Sequence, residues 1–320
     1  MFKKILKKFD LTHLFIVKKL VRINKKRRKK IESSNISKLL VKEYEDYYKR
    51  KPNLNNPTRF SEILLWQKLY FHKSESTIMS DKVLVKDYIK KLLGDEINFP
   101  KTYAVFDNAK QISLQNLPNK SIIKCNHNSG YIFFIHKKSN KKYEIENLKD
   151  RTHKKIRFKT MQKILNELLK INYYYQLLEW NYKEIKPRIL VEEYLDTTDL
   201  RDYKFLMNYG KLIVFHVNSN KAESERINFF NEKLEPLDIW EVEPPAENIP
   251  KLPHNISKMI EISKKIANGF PFLRVDLYTI NNNIYFGETT FFHWGGYLRF
   301  KHPKNFDELI GSKMTINLNH

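Results

Sequence analysis

Two short segments near the C-terminal end hold residue types that could do chemistry together. In Leu273-Arg274-Val275-Asp276-Leu277-Tyr278, Arg274 and Asp276 stand two apart, so on a strand they share one face. After the turn signal Asn281-Asn282 comes Ile284-Tyr285-Phe286-Gly287-Glu288-Thr289-Thr290, and a hairpin between the two segments brings Glu288 across to that face. Two carboxylates on adjacent strands suit magnesium carrying a polyphosphate, because magnesium takes one or two protein carboxylates and fills its octahedron with phosphate oxygens and water. Arg274 would then neutralise charge on the phosphoryl group in transfer. The same triplet also suits a cross-strand Arg–Asp salt bridge on an exposed sheet face. The residues alone leave both readings open.

A second segment, Lys124-Cys125-Asn126-His127-Asn128-Ser129-Gly130, sets a point charge at a strand end before small polar residues whose backbone N–H groups can approach phosphate. A solvated lysine would look the same. His127 could act as a general base or simply hydrogen-bond within the loop, and Cys125 reads as small strand packing rather than a nucleophile. Four of the eight glycines (Gly130, Gly287, Gly295, Gly296) fall in these candidate segments. No Gly-x-x-x-x-Gly-Lys-Ser/Thr loop, Gly-x-Gly-x-x-Gly turn or zinc spacing occurs.

The elements that must position these residues follow from periodicity and breakers. Helices are predicted over Ile36–Tyr48, from Thr58 as N-cap through Leu69, from Ser80 to Leu93 before Gly94, over 158–180, and over Ser257–Ala267. Strands are predicted at Thr102–Phe106, Ser121–Cys125, Tyr131–Ile135, Arg188–Tyr194, Tyr203–Asn208, Lys211–Val217, Phe272–Thr279 and Asn283–Phe286. Segments 121–125 and 131–135 form a hairpin. The fold class is α+β, with antiparallel strands interleaved with helices.

At 320 residues, 41% of them hydrophobic, the chain is large enough for one big domain or two modest ones. It has no apolar run near a membrane span and no secretory signal, and one cysteine precludes an internal disulfide. A cytoplasmic location follows as the expectation. Of the net charge of +23, residues 1–30 carry thirteen basic residues against Asp10, a net +12, leaving +11 for the other 290 residues. Phe2, Ile5, Leu6 and Phe9, then Leu14, Phe15, Val17, Leu20, Val21 and Ile23, form an apolar stripe among these charges. Such a head suits the plane of an anionic membrane surface, and equally a helix packed on the body with solvated lysines. Nucleic acid is set aside for want of zinc-finger, recognition-helix or RNP-like spacing.

The order Arg-x-Asp, hairpin, Gly-Glu-x-Thr, then Gly295-Gly296 resembles the last catalytic strands of the ATP-grasp superfamily. More closely, the chain resembles the TupA-like ATP-grasp family, named for teichuronopeptide biosynthesis. Upstream, Asn56-Pro57-Thr58-Arg59-Phe60-Ser61-Glu62, Trp66 with Lys68-Leu69-Tyr70, Asp81-Lys82 with Lys86, Glu192-Glu193-Tyr194-Leu195 and Asp202-Tyr203-Lys204-Phe205 carry the likeness over residues 50–300. It implies two α+β lobes closing on Mg-ATP: a basic segment 1–30, a helical region 31–100, lobes 101–190 and 191–310, and a tail 311–320.

By the same resemblance, Lys124 grips the phosphates, Asn128, Ser129 and Gly130 cover them, and Glu192, Glu193 and Leu195 lie at the hinge that reads the nucleotide. Lys204 and Arg274 act on the phosphates or substrate, Asp276 and Glu288 hold Mg2+, and the Gly295-Gly296 backbone orients a carboxylate. Thr290 stands where many ATP-grasp enzymes have a metal-ligating asparagine, so a third ligand stays open. The implied activity is ATP-dependent carboxylate–amine ligation through an acyl phosphate, joining an amino acid to a uronic acid carboxylate in cell-surface polysaccharide biosynthesis. A kinase, a glycosyltransferase of such a pathway, or a non-catalytic polyanion or membrane binder are the alternatives.

Overall fold

The computed structural model describes residues 2–139, 142–148, 154–195, 201–219, 226–241 and 244–318, with only the backbone described for 2–11, 142, 154 and 219. The apolar stripe from Phe2 to Phe9 therefore lies outside the described side chains. Five helices precede the first strand: α1 (Phe2–Glu32), α2 (Ile36–Tyr48), α3 (Phe60–Tyr70), α4 (Ser74–Ser80) and α5 (Leu84–Leu93). The strands then gather into two antiparallel sheets. The first holds β1 (Thr102–Phe106), β2 (Lys120–Cys125), β3 (Ile132–Ser139), β4 (Lys142–Asn147), β5 (Lys154–Lys155) and β6 (Ile189–Glu193), in the order β1-β6-β2-β3-β4-β5. Between β5 and β6 lie α6 (Phe158–Leu168) and α7 (Tyr174–Leu177). The second sheet comprises β7 (Asp202–Asn208), β8 (Lys211–Ser219), β9 (Arg226–Phe230), β10 (Pro236–Leu237), β11 (Leu273–Ile280) and β12 (Asn283–Thr290), ordered β10-β9-β8-β7-β11-β12. Helices α8 (Ile256–Ile266) and α9 (Phe306–Gly311) complete it.

Each sheet buries alternate residues against helices. Ile123, Cys125, Phe133, Ile135, Ile189 and Val191 pack on α6, whose Met161, Ile164 and Leu165 are fully enclosed, and Val17 of α1 joins the same core. The second sheet is covered at both faces. Phe205, Phe215, Val275 and Leu277 meet α5 and α8 on one side, while Leu206, Val214 and Phe229 meet α3 and α9 on the other.

Several boundaries depart from the sequence reading. The helix predicted over 158–180 stops at Leu168, because Ile171 turns into the first core and the Asn172 side chain accepts the Tyr174 N–H, starting a separate short turn. Leu178, left-handed at φ 55°, ends that turn. The N-cap of α3 is Arg59 rather than Thr58, since the Glu62 carboxylate reaches back to accept from both the Thr58 and Arg59 N–H groups. The helix predicted over Ser80–Leu93 begins only at Leu84, Ser80 being the last residue of α4, and Asp81 Oδ1 accepts the Val83 N–H at 2.8 Å in the turn between them. Strands β4, β5, β9 and β10 were not anticipated. The boundary expected at 30/31 falls inside α1, and that at 190/191 falls inside β6, which is paired on both sides, with β1 and with β2.

Candidate functional site

Register puts three charged residues in one row across the second sheet. Asp276 on β11 stands opposite Lys204 on β7 and Glu288 on β12. Simple alternation would not achieve this: Ile284 and Phe286 point into the core with Leu277, and a further step of two would send Glu288 after them. One extra residue on β12, Gly287, shifts the register between Asp276 and Leu277 and returns Glu288 to the face of Asp276. A Cβ on Gly287 would lie 2.8 Å from the Asp276 carbonyl oxygen and 3.0 Å from Tyr278 Cε1, so a side chain there would collide with the partner strand.

Arg274 holds Asp276 in a two-pronged grip, Nε donating to Oδ1 and Nη2 to Oδ2, both at 2.7 Å. Lys204 Nζ donates to Oδ2 at 2.5 Å. Asp276 is 3% exposed. Burial would raise its pKa, but Arg274 and then Lys204 outweigh it and hold the carboxyl well below the usual carboxylate range. Burial likewise works to lower the pKa of Arg274 and Lys204, and in both Asp276 reverses the direction. The salt bridge that the sequence left open is thus present, in a buried wall rather than on an exposed face. Glu288 lies 3.5 Å from Arg274 Nη2 with its side chain 46% exposed, free to turn toward a ligand.

Arg274 is itself held from behind. Its Nη1 lies 3.3 Å from His293 Nδ1, and since a guanidinium only donates, Nδ1 accepts and the ring proton sits on Nε2. His293 Nε2 then donates to Glu241 Oε1 at 2.7 Å. Both residues are buried, and although burial opposes it, contact with His293 holds the Glu241 carboxyl below its ordinary value. Neither residue was singled out from sequence as part of the site. Glu241 follows the short edge strand β10 in a segment without regular structure, far from His293 in the chain, so no local signal announces the pairing.

The facing wall comes from the first sheet and α5. Glu192 on β6 pairs through Oε1 with Lys86 at 2.6 Å and through Oε2 with Lys124 on β2. Burial would raise the Glu192 pKa, and the two lysines together bring it below its ordinary value. Lys82 Nζ donates to the Asn128 carbonyl at 3.0 Å and has no ion-pair partner among the described residues. Enclosure lowers its pKa, Glu288 opposing and Lys124 adding to the effect. In the sequence Lys82 and Lys86 enter only among the residues that carry the family likeness, with no role at the site. No helical spacing joins them, because Lys82 lies in the turn before α5; contacts with the Asn128 carbonyl and with Glu192 bring them to the cleft.

Between the walls lies a cleft of about 300 Å³ lined by Lys82, Lys124, Asn128, Ser129, Gly130, Asp202, Lys204, Asp276 and Glu288. A narrow inner recess continues past Val85, Lys86, Pro100, Glu192, Tyr278 and Phe286. Of the residues expected at the site, Glu193, Leu195 and Arg274 are not brought to this lining: the Glu193 carboxylate accepts the Lys101 N–H, and Arg274 is turned onto Asp276 and reaches the cleft only through it. Thr290 stands opposite Arg274. Cys125 is 1% exposed and burial pushes its thiol up to about 12, which suits packing and not nucleophilic attack. His127 is also buried, its pKa lowered by burial to about 4, with Nδ1 3.2 Å from Asn126 Oδ1.

The glycine segment is pinned from the helical region. Lys68 of α3, its pKa lowered by burial to about 8, donates to the Gly295 carbonyl at 2.7 Å, and the Tyr48 hydroxyl of α2 donates to the Gly296 carbonyl at 2.8 Å. Trp294, Gly295 and Gly296 are all left-handed, at φ 50°, 64° and 87°. The residues present fit Mg-ATP on their own chemistry. Two carboxylates in one row are what magnesium needs when phosphate and water supply the rest, and among the described residues no larger ligand cluster occurs. Lys82, without a counter-ion, is suited to a phosphate.

Two antiparallel sheets facing each other across this lysine-lined cleft, with the carboxylate row on the final hairpin, are the architecture of an ATP-grasp protein, a class that uses ATP and magnesium. The chain belongs to the TupA-like ATP-grasp family, whose model matches residues 62–315. Among curated proteins no sequence matches. Solved structures to which the chain is similar include D-alanine–D-alanine ligase from Bacillus anthracis complexed with ATP, at 13% identity and TM-score 0.36, covering 72% of this chain and 56% of that one. Another is D-alanine–D-alanine ligase from Helicobacter pylori, at 15% identity and TM-score 0.38, covering 81% and 70%. A third is L-amino acid ligase from Bacillus licheniformis, at 14% identity and TM-score 0.37, covering 67% and 43%. The chain thus spans little more than half the length of the first.

Proposed function

We propose that this protein is an ATP-dependent carboxylate–amine ligase. The observation that carries the reading is the row Lys204–Asp276–Glu288 facing Lys82 and Lys124 across one cleft. Asp276 and Glu288 would hold magnesium, which when bound supplies charge neutralisation to the polyphosphate. Lys82 and Lys124 would bind phosphate oxygens from the facing wall, while Lys204, which with Arg274 neutralises Asp276 in the free protein, would neutralise the transferring phosphoryl group, with Arg274 adding its charge from behind Asp276. The substrate carboxylate attacks that phosphoryl group with release of ADP to give an acyl phosphate, and the amine then attacks the acyl carbon, losing a proton and expelling phosphate as the amide forms. The backbone at Gly295-Gly296, fixed by Lys68 and Tyr48, orients the carboxylate.

The family's name and the basic head together support a narrower reading: an amino acid joined to a uronic acid carboxylate of a cell-surface polysaccharide precursor, met at the cytoplasmic face of the plasma membrane. The test is thermal unfolding with and without Mg-ATP, on the wild type and on Asp276→Ala/Glu288→Ala. At about a hundred times Kd, binding adds about 2.7 kcal/mol. A shift that needs magnesium and vanishes in the double variant is expected, and no shift in the wild type would overturn the nucleotide site. Hydroxamate formed from hydroxylamine and a uronic acid distinguishes the ligase from a kinase, which would release ADP without it.

A further inference from the structure

Helix α1 has two faces of different character. His13, Val17, Asn24 and Ile31 are buried, and Asn24 Nδ2 donates to the Asn172 carbonyl at 2.8 Å, so one face is committed to the body. On the other, Ile16, Lys19, Ile23, Lys26 and Lys30 recur at steps of three and four and form one exposed stripe. Phe15, Arg22 and Lys29 run beside it at steps of seven, also exposed. Phe15 is 67% exposed and Ile23 49%. This is not the stripe the sequence suggested, because Leu14, Val17, Leu20 and Val21 are the residues that pack on the first sheet's core.

Between Thr12 and Glu32 nine basic residues meet one acid. Arg27 pairs with Glu43 and Arg28 with Glu32, and the other seven have no carboxylate partner among the described residues. We propose that this outer face docks on the surface of an anionic lipid bilayer. The helix, 31 residues and roughly 46 Å long, lies flat with Phe15, Ile16 and Ile23 entering the acyl boundary while the lysines reach anionic headgroups. A second copy is the poorer occupant, since Lys19, Lys26 and Lys30 would oppose their own kind. A nucleic acid would use the charges but leave the three apolar side chains in water. The proposal does not depend on the ligase reading.

The full chain is sedimented with vesicles of phosphatidylcholine alone and of phosphatidylcholine and phosphatidylglycerol in equal parts. Binding is expected on the anionic vesicles and weaker by at least about tenfold on the neutral ones. Lys19→Glu/Lys26→Glu should lose at least about tenfold on anionic vesicles. Phe15→Ser/Ile23→Ser should bind in low salt and be released by salt that leaves part of the wild type bound. All four positions are exposed, so unchanged thermal unfolding verifies that both variants fold. Equal binding to the two vesicle types, no binding to either, or binding untouched by both variants would overturn the proposal. So would duplex RNA held more tightly than the vesicles and indifferent to Phe15→Ser/Ile23→Ser.

Discussion

Replacing Asp276 by asparagine takes away the one charge that Arg274 and Lys204 share. The wild-type carboxylate accepts three charge-assisted hydrogen bonds, at 2.7, 2.7 and 2.5 Å, from two side chains that are themselves only 13% and 15% exposed. An amide keeps one acceptor and turns its NH2 toward a cation. Leaving one side of a buried ion pair uncompensated costs about 3–5 kcal/mol. Here Glu288 lies 3.5 Å from Arg274 and Asp202 lies 3.9 Å from Lys204, and both can take up part of the charge, so the loss belongs near the lower end, about 3 kcal/mol. For a chain of this size that is roughly 4–5 °C in Tm. Because folding depresses the Asp276 pKa, its contribution is present above the unfolded value of about 3.9 and fades as pH falls toward the folded one. Urea unfolding followed by tryptophan fluorescence should therefore show a constant gap between wild type and variant above about pH 5, closing below about pH 4. A gap under about 1 kcal/mol at neutral pH, or one that does not change on acidification, would refute the assigned ion pairing.

Two further outcomes follow from the geometry. Gly287→Ala, with its methyl group set against the Asp276 carbonyl and Tyr278, should destabilise by about 1–3 kcal/mol and weaken the Mg-ATP thermal shift, whereas Gly94→Ala, with open space around it, should leave that shift intact. Glu241→Gln and His293→Leu each loosen the support behind Arg274. On the ligase reading they should lower kcat by about tenfold or more while KM for ATP stays within a few-fold, and an unchanged kcat would show that Arg274 needs no such support.

The final hairpin was legible because Asn281-Asn282, both at positive φ, is strong turn chemistry between two apolar runs. What could not be read was the parity. Strict alternation along β12 sends Glu288 into the core, and only the collision that any side chain at Gly287 would cause shows where the extra residue sits. Strand β4 escaped notice although Tyr143 and Ile145 alternate with Glu144 and Glu146, because a run of charges reads as loop before a partner strand is known. Lys82 and Lys86 were read through their neighbours in the chain, whereas their role is set by Glu192 and Asn128 on another element. The Glu241–His293 contact joins two segments through tertiary structure alone, which no periodicity encodes.

A chain with so basic a head invites shortening, since removing residues 1–32 would strip much of its positive charge. The burial of α1 makes that a poor route to a better-behaved protein. Val17 and Ile31 close two separate cores, one over α6 and one with Tyr174 and Tyr175, so truncation would unroof both and leave Leu165 and Leu178 facing water. Reversing charge on the outer stripe, at Lys19, Lys26 and Lys30, lightens the head without opening the body. The helix can be repainted on one side, but it cannot be taken off.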